Sequence, residues 1–129
     1  MKRHEKLQDL SREHYSALKL ALLAKRAAQS GITEQILAAS ATCVASFASD
    51  LEPHFQIEEN TLLPALTASG ALELVAHTER DHLELRGLAA RLQNPDAETL
   101  LAFAERLTAH VRFEERELFE ALELLLKKA

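Results

Sequence analysis

The sequence predicts an all-α protein, an up-down-up-down antiparallel four-helix bundle. Three observations carry that prediction. Ala, Leu, Glu and Arg dominate a chain that has only three Gly and three Pro, a composition of helix formers. Apolar residues recur at three-four spacing over long runs. Turn signals fall at only three places, and short connections between long helices favour antiparallel neighbours.

Ser30-Gly31 ends the first run, Ser69-Gly70 ends the second, and Asn94-Pro95-Asp96 separates the third from the fourth. Helices are therefore expected at about 4–29, 33–68, 71–93 and 95–127. Asn94 is the expected N-cap of the last, with Pro95 at its first helical position. Pro53 and Pro64 lie inside the second run; each removes one backbone hydrogen bond and bends the helix without ending it.

The expected inward stripe of the first helix is Leu7, Leu10, His14, Ala17/Leu18 and Ala21. That of the second is Val44, Phe47, Leu51, His54, Glu58, Leu62 and Ala65. The third reads Leu72, Val75, Glu79, His82, Leu85, Ala89 and Leu92, and the fourth Leu100, Phe103, Leu107, His110, Glu114, Leu118 and Ala121. A histidine interrupts every stripe.

Length and composition narrow the function. The 129 residues suit one domain over 1–129, large enough to bury about two-thirds of the unfolded surface. Hydrophobic residues at 47% and charged ones at 27% describe a globular, soluble chain. No stretch approaches the roughly 18 apolar residues of a membrane span. Met1-Lys2-Arg3-His4 passes directly into polar sequence, unlike a signal peptide, and the single Cys43 fits a reducing cytoplasm. A formal net charge of −5, without a basic stripe, argues against nucleic acid.

The chemistry lies in a repeat. His54-Phe55-Gln56-Ile57-Glu58-Glu59 returns as His110-Val111-Arg112-Phe113-Glu114-Glu115, and 54–66 matches 110–122 at six of thirteen positions. Four residues turn an α-helix through about 400°, so each His and its Glu share one face, roughly 6 Å apart along the axis. Arg12-Glu13-His14 and Arg80-Asp81-His82 repeat likewise in the first and third helices. Such a duplication sets two half-sites about a pseudo-two-fold axis, a geometry that suits a dinuclear centre.

A carboxylate in a bundle core costs several kcal/mol unless it is paired or holds a cation. Glu58 and Glu114 have no Lys or Arg on their own stripes. Imidazole with carboxylate and no thiolate suits iron, manganese or zinc. Zinc is satisfied by four ligands and needs no pair of bridging carboxylates, which leaves iron first and manganese second. Two octahedral ions offer about twelve positions. His14, His54, His82 and His110 take four, and bridging Glu58 and Glu114 take four more. A bridging oxide or hydroxide takes two, leaving about two for O2, NO or peroxide.

These residues resemble the hemerythrin-like, or HHE cation-binding, domains, four-helix bundles that carry a non-haem di-iron centre. The resemblance rests on Arg12-Glu13-His14, His54-Phe55-x-x-Glu58-Glu59 with Leu63-Pro64, Asp81-His82-x-x-Leu85-Arg86 and His110-x-x-Phe113-Glu114-Glu115. It implies His14, His54, His82 and His110 as terminal iron ligands, with Glu58 and Glu114 bridging. It also implies uptake of O2 or NO for sensing, buffering or storage. The alternative is an oxidoreductase or repair protein that acts on NO or peroxide or donates iron. The chain departs from the oxygen carriers, which have His-x-x-x-His on the third helix and His-x-x-x-x-Asp on the fourth.

His77 and Glu79 are further candidate ligands. His77 lies off the stripe, about 140° from His82; Glu79 sits on it one turn earlier, in a Glu-x-x-His pattern. Glu59 and Glu115 are expected to be solvated or ion-paired, His4 to lie at the surface, and Cys43 to be a small buried apolar residue. Tyr15 is expected to pack, or else to line the pocket; the five Phe are expected in the core.

Overall fold

The computed structural model describes residues 3–128; Met1, Lys2 and Ala129, part of the expected domain, lie outside the described residues. Four helices follow one another, and no strand occurs among the described residues. The first is Glu5–Ser30, the second 33–68, the third Leu72–Arg91 and the fourth 97–128. The first packs against the second and fourth, and the third against the fourth and the end of the second, which closes the bundle.

The turns follow from their residues. Gly31 and Gly70 take φ of 69° and 89°, the left-handed region that glycine enters without a Cβ penalty. The fourth helix begins two residues later than expected. Asp96, in extended conformation, accepts from the Thr99 amide at 2.7 Å and is the true N-cap. Asn94 and Pro95 stay in the turn, because a carboxylate at position 96 reaches that amide directly.

Both interior prolines sit beside wide turns. Phe47–Leu51 and Glu58–Leu62 are π-helical, with Glu52 N–H donating to the Phe47 carbonyl and Leu63 N–H to that of Glu58. Pro53 and Pro64 directly follow those two donors. The helix continues through both, as expected. Each wide turn adds one residue, so the stripe beyond Glu58 passes through Leu63 and Leu66 instead of Leu62 and Ala65. Glu114–Leu118 forms a third wide turn without any proline, and Phe119 and Leu122 are buried beyond it.

The third helix keeps its expected inward face at His82, Leu85, Ala89 and Leu92 but is rotated from it over the turns before His82. Thr78 and Asp81 are buried with His82, whereas Leu72 is 60% exposed and Glu79 is exposed. Thr78 Oγ1 donates to the Leu74 carbonyl, and Asp81 is tied to the fourth helix, so two polar residues tolerate that inward edge.

The buried apolar residues form two clusters. One gathers Ala17, Ala21, Phe47, Leu85, Phe103 and Leu107; the other gathers Leu7, Leu10, Leu63, Leu66, Phe119 and Leu122. His14, His54, His82 and His110 lie between them, with Glu58 and Glu114. All five Phe are buried, and burial raises the Cys43 thiol to about 11, which keeps it neutral. Removing the cap with Asp96→Ala is expected to lower the unfolding free energy by less than a core truncation does. Leu107→Ala, at a position of zero exposure, is expected to cost about 3 kcal/mol; denaturant titration measures both.

Candidate metal centre

Six side chains converge in the polar layer. His14, His54, Glu58 and Glu114 offer ligand atoms that all lie within 4.8 Å of one another, and so do Glu58, His82, His110 and Glu114. The two groups share both glutamates. All six residues are buried, none more than 4% exposed.

The two carboxylates divide their oxygens. Glu58 Oε2 lies 3.1 Å from His54 Nε2, while its Oε1 lies 3.0 Å from His82 Nε2. Glu114 Oε1 lies 2.7 Å from His14 Nε2, while its Oε2 lies 3.1 Å from His110 Nε2. Each glutamate thus presents one oxygen to each group. That is the arrangement of a carboxylate that joins two cations.

Every imidazole is held from behind. Nδ1 of His14 is 2.6 Å from Glu115, that of His54 2.9 Å from Glu13, that of His82 2.7 Å from Glu59 and that of His110 2.8 Å from Asp81. A carboxylate at Nδ1 calls for the Nδ1–H tautomer, which leaves the Nε2 lone pair facing inward. The inward neighbours are carboxylate oxygens, also acceptors. Acceptors face acceptors, so the layer is stable only with cations, metal ions or protons, between them. His110 Nε2 and Glu114 Oε2, although 3.1 Å apart, are not aligned for a hydrogen bond and have no other hydrogen-bond partner among the described residues. The donor set, buried imidazoles and carboxylates, fits a metal cation.

Protonation follows the same logic. Burial opposes charge on His54, but hydrogen bonds and charges from Glu114 and Glu58 raise it to about 11. Burial is likewise overcome at His82, raised to about 9 by Glu114, Glu58 and Glu59, and at His110, raised to about 10 by Glu114 and Asp81. His14 is raised against burial by Glu114 and Glu115. Burial raises Glu58, helped by the Glu114 charge; at Glu114 the same burial is overcome by His110, His14 and His54, which hold it well below the usual range.

The outer shell is anchored in turn. Arg86 forks onto Glu52 at 2.8 and 2.7 Å and onto Glu59 at 2.9 and 3.1 Å. Arg3 binds the Glu115 carboxylate at 3.2 Å and Glu120 at 3.0 Å, and Ser11 donates to Glu115 at 2.9 Å. Phe55 stacks on His82 with centroids 3.9 Å apart, and Phe119 on His14 at 5.0 Å. A cavity of about 570 Å³ opens between the first, second and fourth helices and reaches His14, His54 and His110.

The six principal sequence candidates are brought together, and two others are not. Glu79 is exposed on the outside of the third helix, a consequence of that helix's rotation. His77 is 41% exposed along its side chain and lies against Phe113 and Asp81, outside both groups. Glu59 and Glu115 are ion-paired as expected, yet they also orient His82 and His14. Tyr15 neither packs inside nor lines the cavity; it is 65% exposed under the Lys19 ammonium. His4 is the half-buried N-cap of the first helix. The sequence alone does not reveal Glu13 and Asp81 as partners of His54 and His110. The available signal is the acid before His14 and His82, repeated like the acid after Glu58 and Glu114.

Fold and site together define a helical-bundle protein with a buried histidine–carboxylate centre for cations. The description "Hemerythrin HHE cation binding domain" matches residues 5–122, and the chain belongs to that family. No curated protein and no solved structure matches it. Among the described residues no helix is long and apolar enough to cross a membrane.

Adding a divalent transition metal to the metal-free protein is expected to raise its thermal midpoint. At free metal a hundredfold above Kd, the gain is about 2.7 kcal/mol. Glu114→Ala removes one oxygen from each group and is expected to abolish the gain in a calorimetric scan.

Proposed function

We propose that the chain is a non-haem di-iron protein that binds a small diatomic ligand, O2 or NO, for sensing, buffering or storage. In this reading His14 and His54 hold one iron and His82 and His110 the other, with Glu58 and Glu114 bridging. The division of each glutamate's oxygens between the two groups is the observation that carries it. Six side chains would leave open positions on two ions of octahedral preference, and a ferrous pair held there would supply electrons and a binding position for a diatomic molecule. Imidazole and carboxylate without thiolate favour iron, with manganese second. The lone, neutral Cys43 supports work in a reducing cytoplasm.

The protein's own residues do the rest. Glu13, Glu59, Asp81 and Glu115 fix the imidazole rings, so the centre is set before a ligand arrives. The cavity reaches His14, His54 and His110 but is not lined by His82, so ligand approaches from the side of the first two helices. Ala17, Leu51, Phe55, Leu107 and Val111 form the apolar part of the cavity's walls, and Glu13, Lys19 and Asp50 are among the polar residues that line the rest.

Anaerobic loading with ferrous iron, metal counting and optical spectra after adding O2 or NO test the reading. About two irons per chain, with a spectrum that reverses on removing the gas, are expected. Irreversible oxidation with turnover of NO or peroxide would instead identify an oxidoreductase. Fewer than one iron in the wild type, unchanged by His54→Ala, would end the di-iron proposal. Ala17→Phe, on the cavity wall, is expected to retain both irons and slow NO association at least tenfold in stopped flow.

A further inference from the structure

We propose that His77 is a positioning residue that orients and polarises His110 through Asp81, so that one of the four imidazoles is tuned from the protein surface. The inference rests on the reading of His110 as a metal ligand. One carboxylate oxygen joins the two rings: Asp81 Oδ2 is 2.8 Å from His110 Nδ1 and 3.3 Å from His77 Nε2. The other three imidazoles end differently. The carboxylate behind His14 meets Arg3 and Ser11, that behind His82 meets Arg86, and Glu13, behind His54, is 48% exposed to solvent.

His77 is held in place although it reaches the surface. Its ring lies flat on Phe113, with centroids 3.7 Å apart and planes 2° from parallel, and Phe113 is itself buried beside Glu114. Asp81 is only 6% exposed, so water screens little of what its neighbours do to its charge. His77 Nε2, 3.3 Å from Oδ2, is close to the carboxylate without being aligned for a hydrogen bond, and an N–H dipole at that distance draws electron density from it and weakens its acceptance from His110. Without His77, the Asp81 carboxylate pulls harder on the His110 Nδ1–H and makes that imidazole a stronger donor through Nε2. The duplicated half has no such device. Asp9 stands one turn before Glu13, where His77 stands before Asp81, and its carboxylate pairs outward with Arg12.

Proton NMR of the cobalt(II)-loaded protein tests this, because the metal shifts the ligand Nδ1–H resonances clear of all others. His77→Phe keeps a ring against Phe113 and loses the polar contact; His77→Gln restores an N–H towards Asp81. One of the shifted Nδ1–H resonances is expected to move in His77→Phe and to return towards its wild-type position in His77→Gln, while the other three stay. No movement in His77→Phe, or equal movement of all four, would overturn the inference. Absence of shifted resonances in the wild type would overturn the metal reading together with it.

Discussion

The structure turns on a set of like groups facing one another across a buried layer. Four imidazole lone pairs and two carboxylates point inward, held there by carboxylates that fix each ring from behind. Burying that many acceptors together is unfavourable by several kcal/mol unless cations lie between them. The two apolar clusters flank the layer, and the cavity reaches it at His14, His54 and His110. Helix positions, wide turns and surface ion pairs all serve to keep those six groups in register.

The duplication explains how one short chain builds such a layer. Each half supplies a helix with acid-His and a helix with His-x-x-x-Glu-Glu. Two of the supports run within a half and two run between the halves. Glu13 of the first helix supports His54 of the second and Asp81 of the third supports His110 of the fourth, while Glu59 of the second supports His82 of the third and Glu115 of the fourth supports His14 of the first. The centre therefore exists only when all four helices are packed. The halves differ where Arg86, Arg3 and His77 anchor the outer carboxylates, and where the cavity opens on one flank.

Much of this is legible in the amino-acid sequence. Periodicity places His14, His54, Glu58, His82, His110 and Glu114 on inward stripes, because buried polar residues in an otherwise apolar stripe stand out. Glu13 and Asp81 are not legible as partners, since each lies about 100° round the helix from its neighbouring histidine and serves a different helix. Periodicity misplaces Glu79 because Thr78 and Asp81, both polar, take the inward edge and no hydrophobic signal marks the rotation. Pro53 and Pro64 mark the two wide turns in the second helix. The third, at Glu114–Leu118, has no breaker to mark it in the sequence. Asp96 displaces Asn94 as N-cap for a local reason, its hydrogen bond to Thr99.

Crystallography of the iron-loaded protein with anomalous scattering at the iron edge tests the central claim most directly. The account predicts two peaks about 3.5–4 Å apart, one beside His14 and His54 and the other beside His82 and His110, with Glu58 and Glu114 spanning them. A single peak, or iron bound away from the two glutamates, would contradict it.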